Sequence, residues 1–252
     1  KNFLEDGSSS DPYWEKNKFS GNLGVDLKIG VGSNFTLTGT IFPDFGQVEA
    51  DPANLNLSAF ETFFEERRPF FLEGTDIFQF GKTRSFSSGG SNLFYSRRIG
   101  RKPRGFINEE NTQFEDYPSQ TDIISALKFS GKTKSGFSIG ILDAITKEEK
   151  ATYIDSLGNE KTQPIEPFSN SLVLRLKKDM DDGKVVLGSF MTHKANILST
   201  AYLDSSFLKD ALVLGADFEY ALPDPSWILS GFAASSSISC LLYTSDAADD
   251  PT

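Results

Sequence analysis

Apolar and polar residues alternate with period two through four pairs of segments, each of about ten residues, and this leaves little room for anything but antiparallel β structure. In the first pair Leu23, Val25, Leu27, Ile29 and Val31 alternate with Asn22, Gly24, Asp26, Lys28 and Gly30. Beyond Gly32-Ser33-Asn34, Phe35, Leu37, Gly39 and Ile41 alternate with Thr36, Thr38 and Thr40. Two such runs joined by a short polar turn predict a hairpin. Ile123, Ser125, Leu127 and Phe129 lead through Gly131 to Gly136 into Phe137, Ile139 and Ile141, with Lys128, Ser130, Ser138 and Gly140 on the opposite face. Leu172, Leu174 and Leu176, interleaved with Arg175 and Lys177, turn at Asp179 to Gly183 into Val185, Leu187 and Met191. Leu212 to Tyr220 turn at Pro223 to Pro225 into Trp227 to Phe232. Each strand thus carries one apolar and one polar face, and the fold must set the two in different surroundings.

Turns within pairs are short, whereas connections between pairs are longer and polar, as at Lys147 to Pro167. Short turns on one side and long loops on the other form the pattern of an antiparallel transmembrane barrel. A soluble β-sandwich gives similar alternation. Two details favour the barrel. The polar faces carry small and charged residues (Gly24, Asp26, Lys28, Asp217, Glu219) suited to a water-filled lumen, and Trp227, Tyr220 and Phe129 lie near strand ends, where aromatic girdles sit. The expected fold class is all-β: a partial antiparallel transmembrane β-barrel with an inserted loop and short-helix segment. The alternative from another class is a soluble β-rich carbohydrate-binding or hydrolytic domain.

Composition narrows the function. Lysine plus arginine number 25 against 35 aspartates plus glutamates, a formal net charge of −10. That is the wrong sign for a sequence-independent nucleic-acid binder, so nucleic acid is not an expected partner. No run approaches the length of about eighteen apolar residues that a spanning helix needs, so a membrane role would rest on strands or a surface anchor. The chain opens at Lys1 with neither a basic nor an apolar leader run, so a signal peptide is neither read nor excluded. Residues 1–20 are expected to be a linker from a missing N-terminal domain, and 21–239 the partial barrel, with a segment inserted at 42–103. The stretch CLLYTSDAADDPT, Cys240 to Thr252, breaks the preceding pattern, resembles translated adapter read-through and is set aside as a non-native tail. It holds the sole cysteine, so the rest of the chain offers no disulfide and no thiolate ligand.

The inserted segment carries the densest chemistry. It places Glu61, Glu65, Glu66, Glu73 and Asp76 beside Arg67, Arg68, Arg97, Arg98 and Arg101, with Phe60, Phe63, Phe64, Phe70 and Phe71 among them. Opposed charges at this density suit ion pairs that hold an irregular segment, because burying either sign alone costs several kcal/mol. Three roles remain open for the cluster: a folded-in loop or plug network, ligand contact within a lumen, or the paired carboxylates of a glycosidase. Neighbouring arginines keep carboxylates ionised, which suits the first role better than a general acid. Arg67, Arg68, Arg97 and Arg98 could also form a charged constriction that selects anionic solutes. A helix is expected over Leu57 to Glu66, with Ser58 and Glu61 as a capping box and Pro69 ending it soon after Arg67.

Within this segment FPDFGQVEADP, NLSAFETFFEERRPFFLEG and LFYSRRIGR resemble the signature blocks of a large bacterial outer-membrane family of unknown function. In that family a family-9-carbohydrate-binding-like domain precedes a C-terminal β-barrel. The likeness is strong over Gly21 to Pro103 and general beyond. It implies a Gram-negative outer-membrane location, contact with outer-membrane lipid, and a pore, transport or surface-interaction role that involves carbohydrate. It implies no established reaction, and no residue here supports the hydrolase label that some members bear. A structural or assembly role in the same membrane would show neither conductance nor hydrolysis.

The remaining motifs read as structure. Asp179, Asp181, Asp182 and Gly183 lack the ligand spacing and terminal Glu of a calcium loop and read as a hairpin turn. Gly30-Val31-Gly32 lacks the third glycine and helix of a dinucleotide fingerprint, since Phe35 stands in that place. His193 is the single histidine. It gives no histidine pair for a metal and no catalytic triad, so it is read as a strand-face residue, and no cofactor or metal is expected. Tyr13, Trp14 and Trp227 suit a girdle or core better than sugar stacking.

Overall fold

The computed structural model describes residues 12–13, 23–43, 63–81, 93–222, 224 and 227–239. Eight strands form one antiparallel sheet: β1 (Val25–Val31), β2 (Phe35–Ile41), β4 (Ile123–Lys132), β5 (Phe137–Thr146), β8 (Phe168–Met180), β9 (Val185–Ile197), β10 (Asp210–Ala221) and β11 (Ile228–Ser239), adjacent in that order. A second sheet, ordered β3-β6-β7, is built from β3 (Phe114–Asp116), β6 (Glu149–Ile154) and β7 (Glu160–Glu166). Two short helices, α1 (Pro69–Leu72) and α2 (Ala201–Ser206), lie in the connections. All four sequence-read hairpins are present as β1-β2, β4-β5, β8-β9 and β10-β11. Among the described residues no sheet closes into a barrel, and the eight-stranded sheet ends at β1 and β11.

Register separates the two faces. Ile29, Leu37, Phe129, Ile141, Leu174, Met191 and Leu214 are successive cross-strand partners and form one apolar row across seven strands. Ile29, Ile141 and Leu214 in that row are exposed and the other four are half-buried. One residue along, Thr38, Lys128, Leu142, Val173, Thr192 and Val213 are partners on the opposite face, because successive side chains point to opposite sides of a strand. There Lys128, Leu142 and Val173 are buried. The inserted segment covers this second face. Phe70, Phe71, Phe80 and Ile99 from the insert meet Ile123, Ala126, Leu142, Ala144, Val173 and Phe190 from the strands, and this is the hydrophobic core.

Two glycines mark where the insert sits on the sheet. A Cβ on Gly140 would lie 2.8 Å from Ile77 Cγ2 and 3.0 Å from the Phe78 ring. One on Gly215 would lie 2.7 Å from Phe80 Cζ and 2.9 Å from Leu93 Cδ1. These strand positions carry no side chain because side chains of the insert occupy the space.

Two expectations are corrected. The helix expected over Leu57 to Glu66 is absent over its described part: Phe63 to Arg68 are not helical, and Ser58 and Glu61 lie outside the described residues. Pro69 starts a helix rather than ending one. It is the first residue of α1, where its missing N–H is no loss, and the preceding Arg68 is extended at φ −73°, ψ 122°. The polar connection at Lys147 to Pro167 holds β6 and β7. These two strands continue β5 and β8 past the eight-stranded sheet, where the apolar pattern gives way to Ala151, Tyr153 and Ile165 as the buried positions. Pro164 is accommodated because β7 is an edge strand. The Asp155 carboxylate fixes the intervening turn, accepting from Leu157 N and Asn159 N at 2.9 Å each.

Gly215→Val should drive a branched side chain into Phe80 and Leu93 and destabilise the folded protein by about 1–3 kcal/mol. The measurement is the rate of protease cleavage within residues 63–81, expected to rise in Gly215→Val and to stay unchanged in Gly30→Val, where a Cβ meets nothing within 4 Å.

Candidate functional site

Two of the sequence blocks described above bind each other. Arg68, with no solvent-exposed surface, donates through Nε to Glu66 Oε1 and through Nη2 to Glu66 Oε2, both at 2.8 Å. Its Nη1 donates to Ile99 O at 2.6 Å and its Nη2 to Ser96 O at 2.8 Å. Ser96 Oγ donates to Glu66 Oε2 at 2.5 Å, and the guanidinium lies 4.1 Å from the Phe71 ring centroid. Tyr95 completes the contact: its hydroxyl accepts from Phe64 N at 2.8 Å and donates to Phe64 O at 3.0 Å. The EERRPFF and YSRRIG stretches are therefore one clamp, with a bidentate charged pair at its centre and backbone carbonyls satisfying the remaining donors.

Burial works against the charged Glu66 carboxylate, but the hydrogen bonds and charge of Arg68, with Ser96, outweigh it and hold its pKa at about 2. This suits a fixed acceptor. A general acid would need the opposite shift.

The other predicted members of the cluster separate. Glu65 and Arg67 are exposed, and the Glu65 carbonyl accepts from Arg97 Nη1 at 3.1 Å. Arg67 N donates to Glu66 Oε1 at 3.0 Å. Glu73 pairs with Lys28 on β1, which lowers its pKa. Asp76 accepts from Gln79 at 3.3 Å. Arg98 and Arg101 leave the clamp and line a cavity of about 560 Å³ near the long connections, together with Arg104 and Lys194. A second cavity of about 520 Å³ lies at the short-turn end and is lined by Asp76, Lys132, Lys177 and Glu219, among others. Glu61 lies outside the described residues.

Three charged residues on the covered face complete the arrangement. The Lys128 ammonium donates to Phe70 O and, at 2.5 Å, to Glu73 O, so it caps the carbonyl end of α1. Arg175 donates from Nη1 and Nη2 to the two oxygens of Asp217 at 2.6 and 2.7 Å, two strands away. The pair crosses β9 at Gly188, where a Cβ would lie 2.2 Å from Asp217 Oδ1. Asp217 Oδ2 also accepts from Gly81 N at 3.2 Å, which ties the pair to the insert. The alternation placed Lys128, Arg175 and Asp217 on the polar face. The partners named here were beyond reach because each lies 42 or more residues away.

Among the described residues no group of three or more His, Cys, Asp or Glu side chains could hold a metal ion. His193 stands on β9, with Nε2 3.6 Å from Asp210 Oδ1. The Asp181–Gly183 turn connects β8 to β9, and Asp181 and Asp182 adopt positive φ of 52°.

The fold and the clamp define an antiparallel β protein whose inserted segment is fastened to one face of its large sheet. Residues 7–240 match the family described as a domain of unknown function, DUF5916, and the chain belongs to that family. No curated protein and no solved structure matches the chain.

Loss of the clamp should be costly. Arg68→Ala removes the countercharge and two of the donors of Glu66, together with the guanidinium donors to two carbonyls, and should destabilise the protein by about 3–5 kcal/mol. The Glu66 contribution has a definite pH sign. Because its pKa is depressed when folded, its stabilisation is complete above the unfolded value near 4.5 and declines as pH falls towards 2. Denaturation measured at pH 6 and pH 3 should show a loss in the wild type that is smaller in Glu66→Gln.

Proposed function

We propose that this chain forms one sector of a Gram-negative outer-membrane β-barrel, with residues 63–81 and 93–101 folded inward as a plug against the barrel wall. Its role is a pore, transport or surface-interaction function related to carbohydrate, a link that rests on the domain preceding the barrel in the family it resembles. The observation that carries this reading is the inverted polarity of the sheet. The uncovered face presents the apolar row from Ile29 to Leu214, while the covered face holds the buried Lys128 and Arg175. A water-soluble sheet would carry polar residues, not a continuous apolar row, on its uncovered face. Lipid in place of water satisfies an apolar exterior, and a lumen accommodates charge.

The lengths of six of the eight strands support the same reading, while β1 and β2 have 7 residues each. β4 and β5 have 10 residues each, β10 and β11 have 12, and β8 and β9 have 13. A tilted membrane-spanning strand needs about 9–11. Connections alternate in the same way. Turns at 32–34, 133–136, 181–184 and 222–227 are short, whereas β3, β6, β7 and α2 all lie in connections at the opposite end. Tyr220 and Trp227 are exposed at the short-turn end, where an aromatic girdle would meet the membrane surface. The edges β1 and β11 would pair with further strands, since an unpaired edge is not tolerated within lipid.

Charge on the two faces tests the proposal. Leu174→Arg should reduce folding stability in lipid by about 2–4 kcal/mol, and Lys177→Glu, on the lumen side, should change it little. The readout is the amount of folded full-length protein in outer-membrane fractions. Equal tolerance at the two positions would contradict the reading.

A further inference from the structure

The cavity near the long connections has an unusual charge balance. Arg98 and Arg101 enter it from the end of the insert, Arg104 from just beyond it and Lys194 from β9, and no carboxylate lines it among the described residues. The chain as a whole carries a formal charge of −10, so composition alone would put acidic groups there. The charges that reach the Lys194 ammonium are Arg104, Glu166, Arg101 and Arg98, three cations against one anion. Glu166 is already engaged: its Oε2 accepts from Arg104 N at 3.0 Å and its Oε1 from Arg104 Nη2 at 3.3 Å. The Lys194 side chain has no hydrogen-bond or ion-pair partner among the described residues. The half-buried Lys194 ammonium, with like charges near it, is the group in this cavity that an added anion would stabilise.

The remaining wall says more about that anion. Phe94, Tyr95 and Phe207 give it apolar and aromatic surface, which a bare inorganic ion would not use. Asn196 lines the same wall. Its Nδ2 donates to Leu208 O at 2.6 Å, while its Oδ1 is buried without a hydrogen-bond partner. An acceptor left unsatisfied suits a ligand that brings a donor such as a hydroxyl. The volume of about 560 Å³ lies within the size range of small-molecule sites.

We propose that this cavity binds a small hydroxylated organic anion, with its carboxylate or phosphate at Lys194 and the neighbouring arginines and its body against the aromatic wall. The proposal rests on the barrel reading only in that the covered face is then a lumen through which such a solute arrives.

Calorimetric titration of the full-length protein in detergent tests it, with glucuronate, glucose 6-phosphate, inorganic phosphate and glucose as probes. At least one of glucuronate and glucose 6-phosphate should bind, while glucose should not. Lys194→Gln should weaken that binding by about tenfold or more, since one charged hydrogen bond is lost, and Lys147→Gln, on an exposed connecting residue, should leave it unchanged. Circular dichroism and gel mobility with and without boiling establish that each variant is folded. A folded, heat-modifiable protein that binds neither organic anion, or whose Lys194→Gln variant binds as tightly, overturns this proposal and leaves the barrel reading standing. Binding of inorganic phosphate without either organic anion overturns it as well. Binding with the Lys194 dependence in a protein that shows no barrel would uphold the cavity assignment and overturn the membrane reading.

Discussion

A guanidinium without solvent contact can persist in a protein only when its donors and its charge are answered nearby. Arg68 meets that condition through Glu66, Ser96 and Ile99. Because Glu66 precedes Arg68 by two residues while Ser96 and Ile99 lie about thirty residues on, satisfying one charge joins two distant stretches of the insert. Phe70 and Phe71 follow directly and are carried onto the sheet, where they supply the centre of the core. Removing either charged partner would leave the other buried alone, so the clamp is retained or lost as a unit.

The rest of the covered face is arranged around what the clamp delivers. Lys128 caps α1, and the Arg175 and Asp217 pair receives the end of the first part of the insert at Gly81. Gly140 and Gly215 leave room for its aromatic and aliphatic side chains. Sheet and insert therefore share one core, and the opposite face of the sheet has no described protein element packed over its central apolar row. The covered face is consequently more charged than the uncovered face along the same strands, and the outer-membrane proposal rests on this distribution.

Much of this was legible in the sequence. Strict alternation identified the four hairpins and both faces of each strand, since Lys128, Arg175 and Asp217 could point only away from Leu127, Leu174 and Ala216. The density of opposed charge marked the insert as the place where ion pairs hold an irregular chain. Pairing within it was not legible. Ten neighbouring charged residues permit many partnerships, and only the folded path brings Ser96 beside Glu66 while sending Arg98 and Arg101 to a separate cavity. The β6-β7 hairpin was missed because it lies beyond the large sheet and buries Ala151, Tyr153 and Ile165 without the strong apolar alternation of the longer strands. Arg104 and Lys194 carried no motif; they meet through the return of the insert alongside β7, where Gly105 N donates to Ile165 O at 3.0 Å.

The polarity of the sheet leads to the most direct measurement, gel mobility of the full-length protein from outer-membrane fractions with and without boiling. A closed barrel resists detergent unfolding at low temperature, so a mobility shift on boiling is the expected result. Recovery of the protein in the soluble fraction, with no shift, would contradict the assignment of the apolar face to lipid.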